Sequence, residues 1–410
     1  MAPKAIREKI SVKKMMTAAK EIQIHRRTLR LAMALNGVVF FFCAERVFEV
    51  SVIIIYMSMY CMQRYVFFSL IFVEQGKNKE SMESIRLSVI MPMYNVEKYI
   101  ENAIVSVLDG GLAPEDYELI VINDGSTDGG GEVVTKMEQV NDALKRLNEV
   151  GHWHYVKQEN QGLSASRNVG YGHSQGRYLF FMDSDDFIKK DVLKLLLEKA
   201  EKNDLDVLRF NLETVDETGA PIKVSKNPKQ YVDYGEDVME GMRFLEKKLG
   251  YGCYACQFLL KREMMDGCLF TPNIYFEDTE WTPRMLQKAK RVASTSVVAY
   301  YYTQRRGSIT QATDEKKLKK LLEDKLSLLK TLKKRKEETG LRWFDTMACR
   351  TALSIFNDPT LSSARKVEIV KEMKSMSIWP LTLRQIPFPK SMRVVLLDLF
   401  PNLYIRFLGK

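Results

Sequence analysis

Between residues 87 and 195 the chain alternates short apolar runs with amphipathic stretches. Leu87-Ser88-Val89-Ile90-Met91-Pro92 reads as a strand. Tyr99, Ile100, Ile104, Val105 and Leu108 then fall at helical spacing and predict a helix over about 96–108. A second strand is expected over 117–122 and a second helix over about 131–147. A short third strand follows at 154–156, then a loop rich in Gly, Ser and Asn from Asn160 to Asn168 that opens a third helix. Gly176 to Met182 is the next strand. Beyond residue 195 the pattern becomes mainly helical. From Glu315 onward, Leu318, Leu321, Leu322, Leu326 and Leu329 form an apolar stripe among many lysines, which predicts an amphipathic helix with a solvated basic face. Residues 391–408 suit either a docking helix or an interfacial membrane helix.

Strand–helix alternation at this spacing implies a mostly parallel sheet with helices on both faces. Ligands of such sheets bind outside the carboxyl ends of the strands. Tyr94, Asp124 and Asp183 each stand at such an end, so the topology brings them to one edge. Asp183-Ser184-Asp185-Asp186 closes an apolar strand with three carboxylates, which repel one another and lose hydration there unless a cation sits among them. A hard divalent ion, Mn2+ or Mg2+, suits oxygen ligands of this kind. The plainer alternative is a strand end at which Asp186 caps the following helix.

Composition narrows the class. With 410 residues, 46% hydrophobic and 28% charged, the chain is an ordinary globular one. Residues 1–36 hold nine Lys or Arg against two acidic residues, so the remainder carries only +3 of the net +10. That balance does not describe a nucleic-acid-binding body; a basic arm beside an apolar segment suggests an anionic membrane surface. Six cysteines are few, and Cys253 and Cys256 have no second pair at zinc spacing. They read as buried thiols of a reducing compartment.

Four ordered stretches carry a family likeness: Ser88 to Asn95, Val121 to Asp128, Asn160 to Asn168, and Phe181 to Asp186, with Phe276-Glu277-Asp278-Thr279-Glu280 and Tyr301 to Thr310 beyond them. Together they resemble glycosyltransferase family 2, inverting enzymes with a GT-A type fold, over 87 to about 195 and again at 270–310. The resemblance implies an α/β nucleotide-sugar-binding domain followed by a mainly helical region. It implies that Pro92, Tyr94, Asn95, Glu97, Asp124, Gly125, Arg167, Asp183 and Ser184 contact a nucleotide sugar, with UDP favoured. Tyr94 would lie against the uracil, Asp124 would accept its N3–H, and Arg167 would reach nucleotide or diphosphate oxygens. Asp183 and Asp185 would hold the Mn2+ or Mg2+ ion that stabilises charge growing on the departing diphosphate. Asp278 would be the general base for an acceptor hydroxyl on a glycan or lipid-linked molecule. Acidic residues at a helix start explain the same segment without chemistry. The alternative function is a binding module with a decayed site, although Asp183, Asp185 and Asp278 are all present. Arg305 or Arg306 would approach the diphosphate. Two departures stand out: Thr339 replaces the glutamine of the processive synthases' motif before Arg342-Trp343, and Tyr251 to Lys261 departs from the more usual tryptophan-and-lysine pattern.

Four regions are therefore expected: a basic arm (1–36), an apolar membrane-associated segment (37–81), the transferase domain (87–310) and a helical region (311–410). Val50 to Val73 is long enough to span a bilayer, with Arg64 costing roughly 2.5–3.5 kcal/mol near its middle. A single span with the basic arm inside would carry the domain to the far side. Peripheral or anchored attachment at the cytoplasmic side of the plasma membrane is expected instead, or a chain that begins at Met82.

Overall fold

A computed structural model describes residues 85–222, 237–250, 252–305, 314–379 and 390–407. All belong to one compact unit, Glu83–Lys410. The basic arm, the apolar segment with Val50 to Val73, the start at Met82, and Arg306 lie outside the described residues.

The elements run β1 (Leu87–Met93), α1 (Ile100–Leu108), β2 (Tyr117–Asp124), α2 (Gly130–Val140), α3 (Asp142–Glu149), β3 (Trp153–Gln158), α4 (Leu163–His173), β4 (Tyr178–Phe181), β5 (Phe187–Ile188), α5 (Val192–Lys202), β6 (Val207–Val215), α6 (Gly241–Lys247), β7 (Phe258–Lys261), α7 (Glu277–Lys288), β8 (Val292–Thr303), α8 (Glu315–Thr339), α9 (Arg342–Phe356), α10 (Ser363–Ser375), α11 (Lys390–Leu399) and α12 (Pro401–Phe407). One sheet has the order β3-β2-β1-β4-β7-β6-β8-β5. Its β3-β2-β1-β4 half is parallel throughout. In the other half β7 runs antiparallel to both β4 and β6, while β6 and β8 are parallel. The sheet is thus mixed, with the expected parallel character where the strand–helix alternation is regular.

β1, β2 and β4 are buried on both faces, which is why they read as largely apolar runs, whereas the edge strand β3 is only partly buried. Val89, Met91 and Met93 pack with Ile100, Ile104 and Val107 of α1, while Ile90 faces the other way among Ile120, Ile122, Phe181 and Trp281. Helix α4 crosses that second face closely at Gly170, where a Cβ would overlap Ile90.

Two predicted helices differ from expectation for local reasons. The first starts at Ile100 rather than about 96, because Asn95 adopts φ 52 and turns the chain. The predicted 131–147 helix is two: Asn141, extended at ψ 114, breaks it and caps α3 by accepting the Leu144 N–H.

The C-terminal helices share the core. Leu328, Leu332, Trp343, Phe344 and Met347 join the cluster around Trp281, and the Trp343 indole N–H donates to the Gly250 carbonyl at 2.8 Å. Val394, Leu397, Tyr404 and Ile405 bury against Leu326, Leu329, Phe356, Ile369 and Met373. Residues 390–407 form two helices that pack on this core and leave Leu399, Phe400 and Leu403 exposed. The expected attachment to the plasma membrane is corrected here: no helix among the described residues is long and apolar enough to cross a membrane.

Candidate active site

The carboxyl ends of β1, β2 and β4 meet as the parallel topology requires, and the loops after β1 and β2 are stitched together. Asn95 accepts the Thr127 N–H at 2.8 Å through Oδ1, and its own N–H donates to Ser126 Oγ at 3.2 Å. Glu97 accepts the Gly129 N–H, while its N–H donates to Asp128 at 2.8 Å. Pro92 is buried within β1, opposite Ile122, and Tyr94 beyond it is 48% exposed. A cleft of about 510 Å³ lies beside the end of β2, lined by Gly125, Ser126, Asp128, Lys157 and Gln158 among others.

Asp124 is nearly fully buried and already engaged. Its carboxylate accepts from Gln158 Nε2 at 2.7 Å and from the N–H groups of Gln161 and Gly162 at 2.8 Å each. It therefore anchors the loop that opens α4, and Oδ2, with one partner, keeps acceptor capacity for a base N–H. Gly125 takes φ +71, and a Cβ there would come within 2.9 Å of the Asn160 nitrogen.

Arg167 lies within α4. Only 1% exposed, it donates from Nη2 to Asp183 Oδ1 and from Nη1 to Glu277 Oε1 and Asp278 Oδ1, all at 2.9 Å. Its guanidinium also lies 5.1 Å from the centre of the Phe270 ring. Three carboxylates take both of its terminal nitrogens. Burial disfavours the cation, but Asp278, Asp183 and Glu277 outweigh it and hold Arg167 charged.

Asp278 sits in the first turn of α7, as the acidic-helix-start reading also requires, behind Phe276 at φ 65. Its Oδ2 accepts the Ala255 N–H at 3.1 Å. Burial pushes its carboxyl up to about 7; Arg167 opposes that rise, and Glu277 and Asp183 add to it. A carboxylate tuned to neutrality is suited to taking a proton from a hydroxyl.

At the end of β4 the three aspartates part. Asp183 turns to Arg167. Asp185 pairs with Arg305 Nε at 2.6 Å, and Arg305 lies over the Tyr99 ring. Asp186 is buried, accepting from the Tyr300 hydroxyl at 2.6 Å and the Thr303 N–H at 2.7 Å. It ties the strand end to β8 and does not cap α5. Ser184 is buried between them. Burial and the neighbouring Asp183 raise the Asp185 carboxyl, against the pull of Arg305. Asp183 and Asp185 place two carboxylates at one strand end, each paired with an arginine, and carboxylate oxygens of this kind suit a hard divalent cation. No group of three or more His, Cys, Asp or Glu among the described residues is arranged to cage one.

The links Arg167–Glu277, Asp186–β8 and Asn95–Thr127 had no sequence signal beyond the motifs that contain these residues. Each pairs side chains that packing alone brings together. Cys253, Cys256, Cys268 and Cys349 are buried free thiols.

The topology is that of an α/β domain whose candidate residues gather at the carboxyl ends of parallel strands. The glycosyl transferase family 2 pattern matches residues 88–268. An uncharacterized glycosyltransferase of Haemophilus influenzae is 32% identical over 205 residues, covering 50% of this chain and 73% of that protein. An uncharacterized glycosyltransferase of Bacillus subtilis, EpsJ, is 30% identical over 239 residues, 55% of this chain and 63% of its own. The glycosyltransferase GlyA of Streptococcus pneumoniae is 26% identical over 235 residues, 56% of this chain and 32% of its own. The chain thus spans less than two thirds of the length of these last two relatives. Among solved structures, residues 1–349 of Staphylococcus aureus TarS with UDP-GlcNAc superpose with a TM-score of 0.46 at 20% identity, covering 78% of this chain and 81% of that one. The chain belongs to glycosyltransferase family 2.

Proposed function

We propose that this chain transfers a sugar from a nucleoside diphosphate donor, a UDP-sugar, to a hydroxyl of a glycan or lipid-linked acceptor with inversion at the anomeric carbon. The observation that carries the reading is the guanidinium of Arg167, which holds the base candidate Asp278 and the strand-end carboxylate Asp183 on one rigid centre. Exposed Tyr94 offers a face for the uracil, and Asp124 an acceptor for its N3–H. Asn95, Glu97 and Gly125 shape the loops around the nucleoside, Pro92 and Ser184 their strand ends.

Asp278, poised near neutrality, takes the acceptor hydroxyl's proton. The freed oxygen bonds to the anomeric carbon on the face opposite the bond to the β-phosphate, and that bond breaks with its electron pair leaving on the nucleoside diphosphate. Asp183 and Asp185 would hold the Mn2+ or Mg2+ ion. When bound, the ion neutralises charge on the leaving diphosphate. Arg305, beside Asp185, places a second cation at the same point.

The test is nucleotide release from a panel of UDP- and GDP-sugars by the full chain, with Mn2+, Mg2+ or EDTA. Release from one UDP-sugar that EDTA abolishes is expected. Absence of both release and calorimetric nucleotide binding would overturn the reading.

A further inference from the structure

Beside the base stands an aromatic side chain that the fold does not use. Tyr254 is 53% exposed, although Cys253, Ala255 and Cys256 around it are buried. Its backbone is fixed. The residue is extended at φ −81 and ψ 123, its carbonyl accepts the Gln257 N–H at 3.0 Å, and the next N–H, of Ala255, is the one that donates to Asp278. Gly252 lies against the ring, where a Cβ would come 3.5 Å from Cε2. No hydrogen bond among the described residues engages the Tyr254 hydroxyl, and Asp278 and Arg350 are both within electrostatic reach of it.

A buried aromatic contributes to stability by its area; an exposed one on a rigid backbone contributes little and presents a flat apolar face with a polar tip. Among the described residues the aromatic side chains left this open are Tyr94, Tyr254 and Phe400. Phe400 lies between α11 and α12, outside the site. Tyr94 follows the end of β1, and Tyr254 immediately precedes Ala255, whose N–H donates to Asp278.

We infer that Tyr254 is a platform for the acceptor: its ring stacks on the apolar face of the pyranose whose hydroxyl is delivered to Asp278. The inference rests on the transferase reading and adds a residue that selects the acceptor as a sugar. A residue that binds the acceptor without touching the reacting atoms affects KM more than the chemical step, provided chemistry is slow relative to dissociation.

The experiment measures UDP release by the full chain with its active UDP-sugar, alone and with p-nitrophenyl glycosides of glucose, galactose and N-acetylglucosamine, for the wild type and for Tyr254→Ala, Tyr254→Phe and Tyr254→Trp. Release without glycoside should be unchanged in all variants. For the stimulating glycoside, Tyr254→Ala should raise KM by about tenfold with kcat nearly kept, and Phe or Trp should restore it. A wild-type KM in Tyr254→Ala would overturn the assignment, as would an equal loss of glycoside-free release or stimulation by p-nitrophenol alone. Glycosides that never stimulate an enzyme active on the donor would equally overturn it. Failure of donor hydrolysis itself would instead defeat the transferase reading.

Discussion

The two halves of the sheet build their parts of the site by different means. In the parallel half, Tyr94, Asn95, Asp124 and Asp183 follow directly from strand ends, and neighbouring loops hold Asn95 and Asp124 through short hydrogen bonds to Thr127 and Gly162. In the mixed half, Asp278 gets its position from a distant source. It is 111 residues from Arg167 in sequence, and the guanidinium that fixes it belongs to α4 of the parallel half. The proposed donor edge is therefore a set of local constructions, whereas the proposed base is positioned only once both halves have packed. A lesion in a loop should weaken donor binding by degrees, and a lesion at Arg167 should damage both functions together.

The largest effect is expected at that shared centre. Arg167→Met leaves three partly buried carboxylates without their cation, at a cost of about 3–5 kcal/mol of unfolding free energy. Urea denaturation checks this, and donor hydrolysis should fall with it. A variant of wild-type stability would mean that the halves are held together elsewhere.

Asp278→Asn separates the halves by chemistry. Acceptor-dependent transfer should fall by about 10²–10⁴, while nucleotide binding by calorimetry stays intact. Because burial raises this carboxyl to about 7, its base form grows as pH climbs through that value. Transfer should therefore rise between about pH 6 and pH 8 and level off above. A profile flat across that range would remove Asp278 as the titrating base.

Smaller effects belong to the donor loops. Asp124→Asn puts an amide before the N–H groups of Gln161 and Gly162, costing about 1–3 kcal/mol. It should appear as a raised donor KM with acceptor KM unchanged. Gly125→Ala, at φ +71 and close to Asn160, should cost about 1–2 kcal/mol, read from the thermal midpoint. An acceptor KM that moved with either substitution would show the two halves to be less separate than the hydrogen bonds indicate.

Much of the donor edge was legible in the residues, because the period of apolar positions locates strand ends and the parallel rule collects them. The helix break at Asn141 and the late start of α1 were missed, since a single side-chain cap or a single φ > 0 residue interrupts a pattern without altering its apolar spacing. The burial of Arg167 was missed for a related reason. A loop arginine before a helix looks exposed, and its burial follows from α4 lying on the sheet against α7. Arg305 was placed near the diphosphate by its motif, but its pairing with Asp185 needed the register of β8.

By itself the sequence determined the parallel strand–helix framework, the edge at which Tyr94, Asp124 and Asp183 gather, and the membership signalled by its four motifs. These depend on local periodicity and on chain neighbours. Only the tertiary structure decided that Asp183, Glu277 and Asp278 share one guanidinium, that Asp186 serves β8, and that Tyr254 is left open beside the base. Those are outcomes of packing between segments far apart in the chain, where burial sets which charges must pair and which aromatic ring still meets solvent.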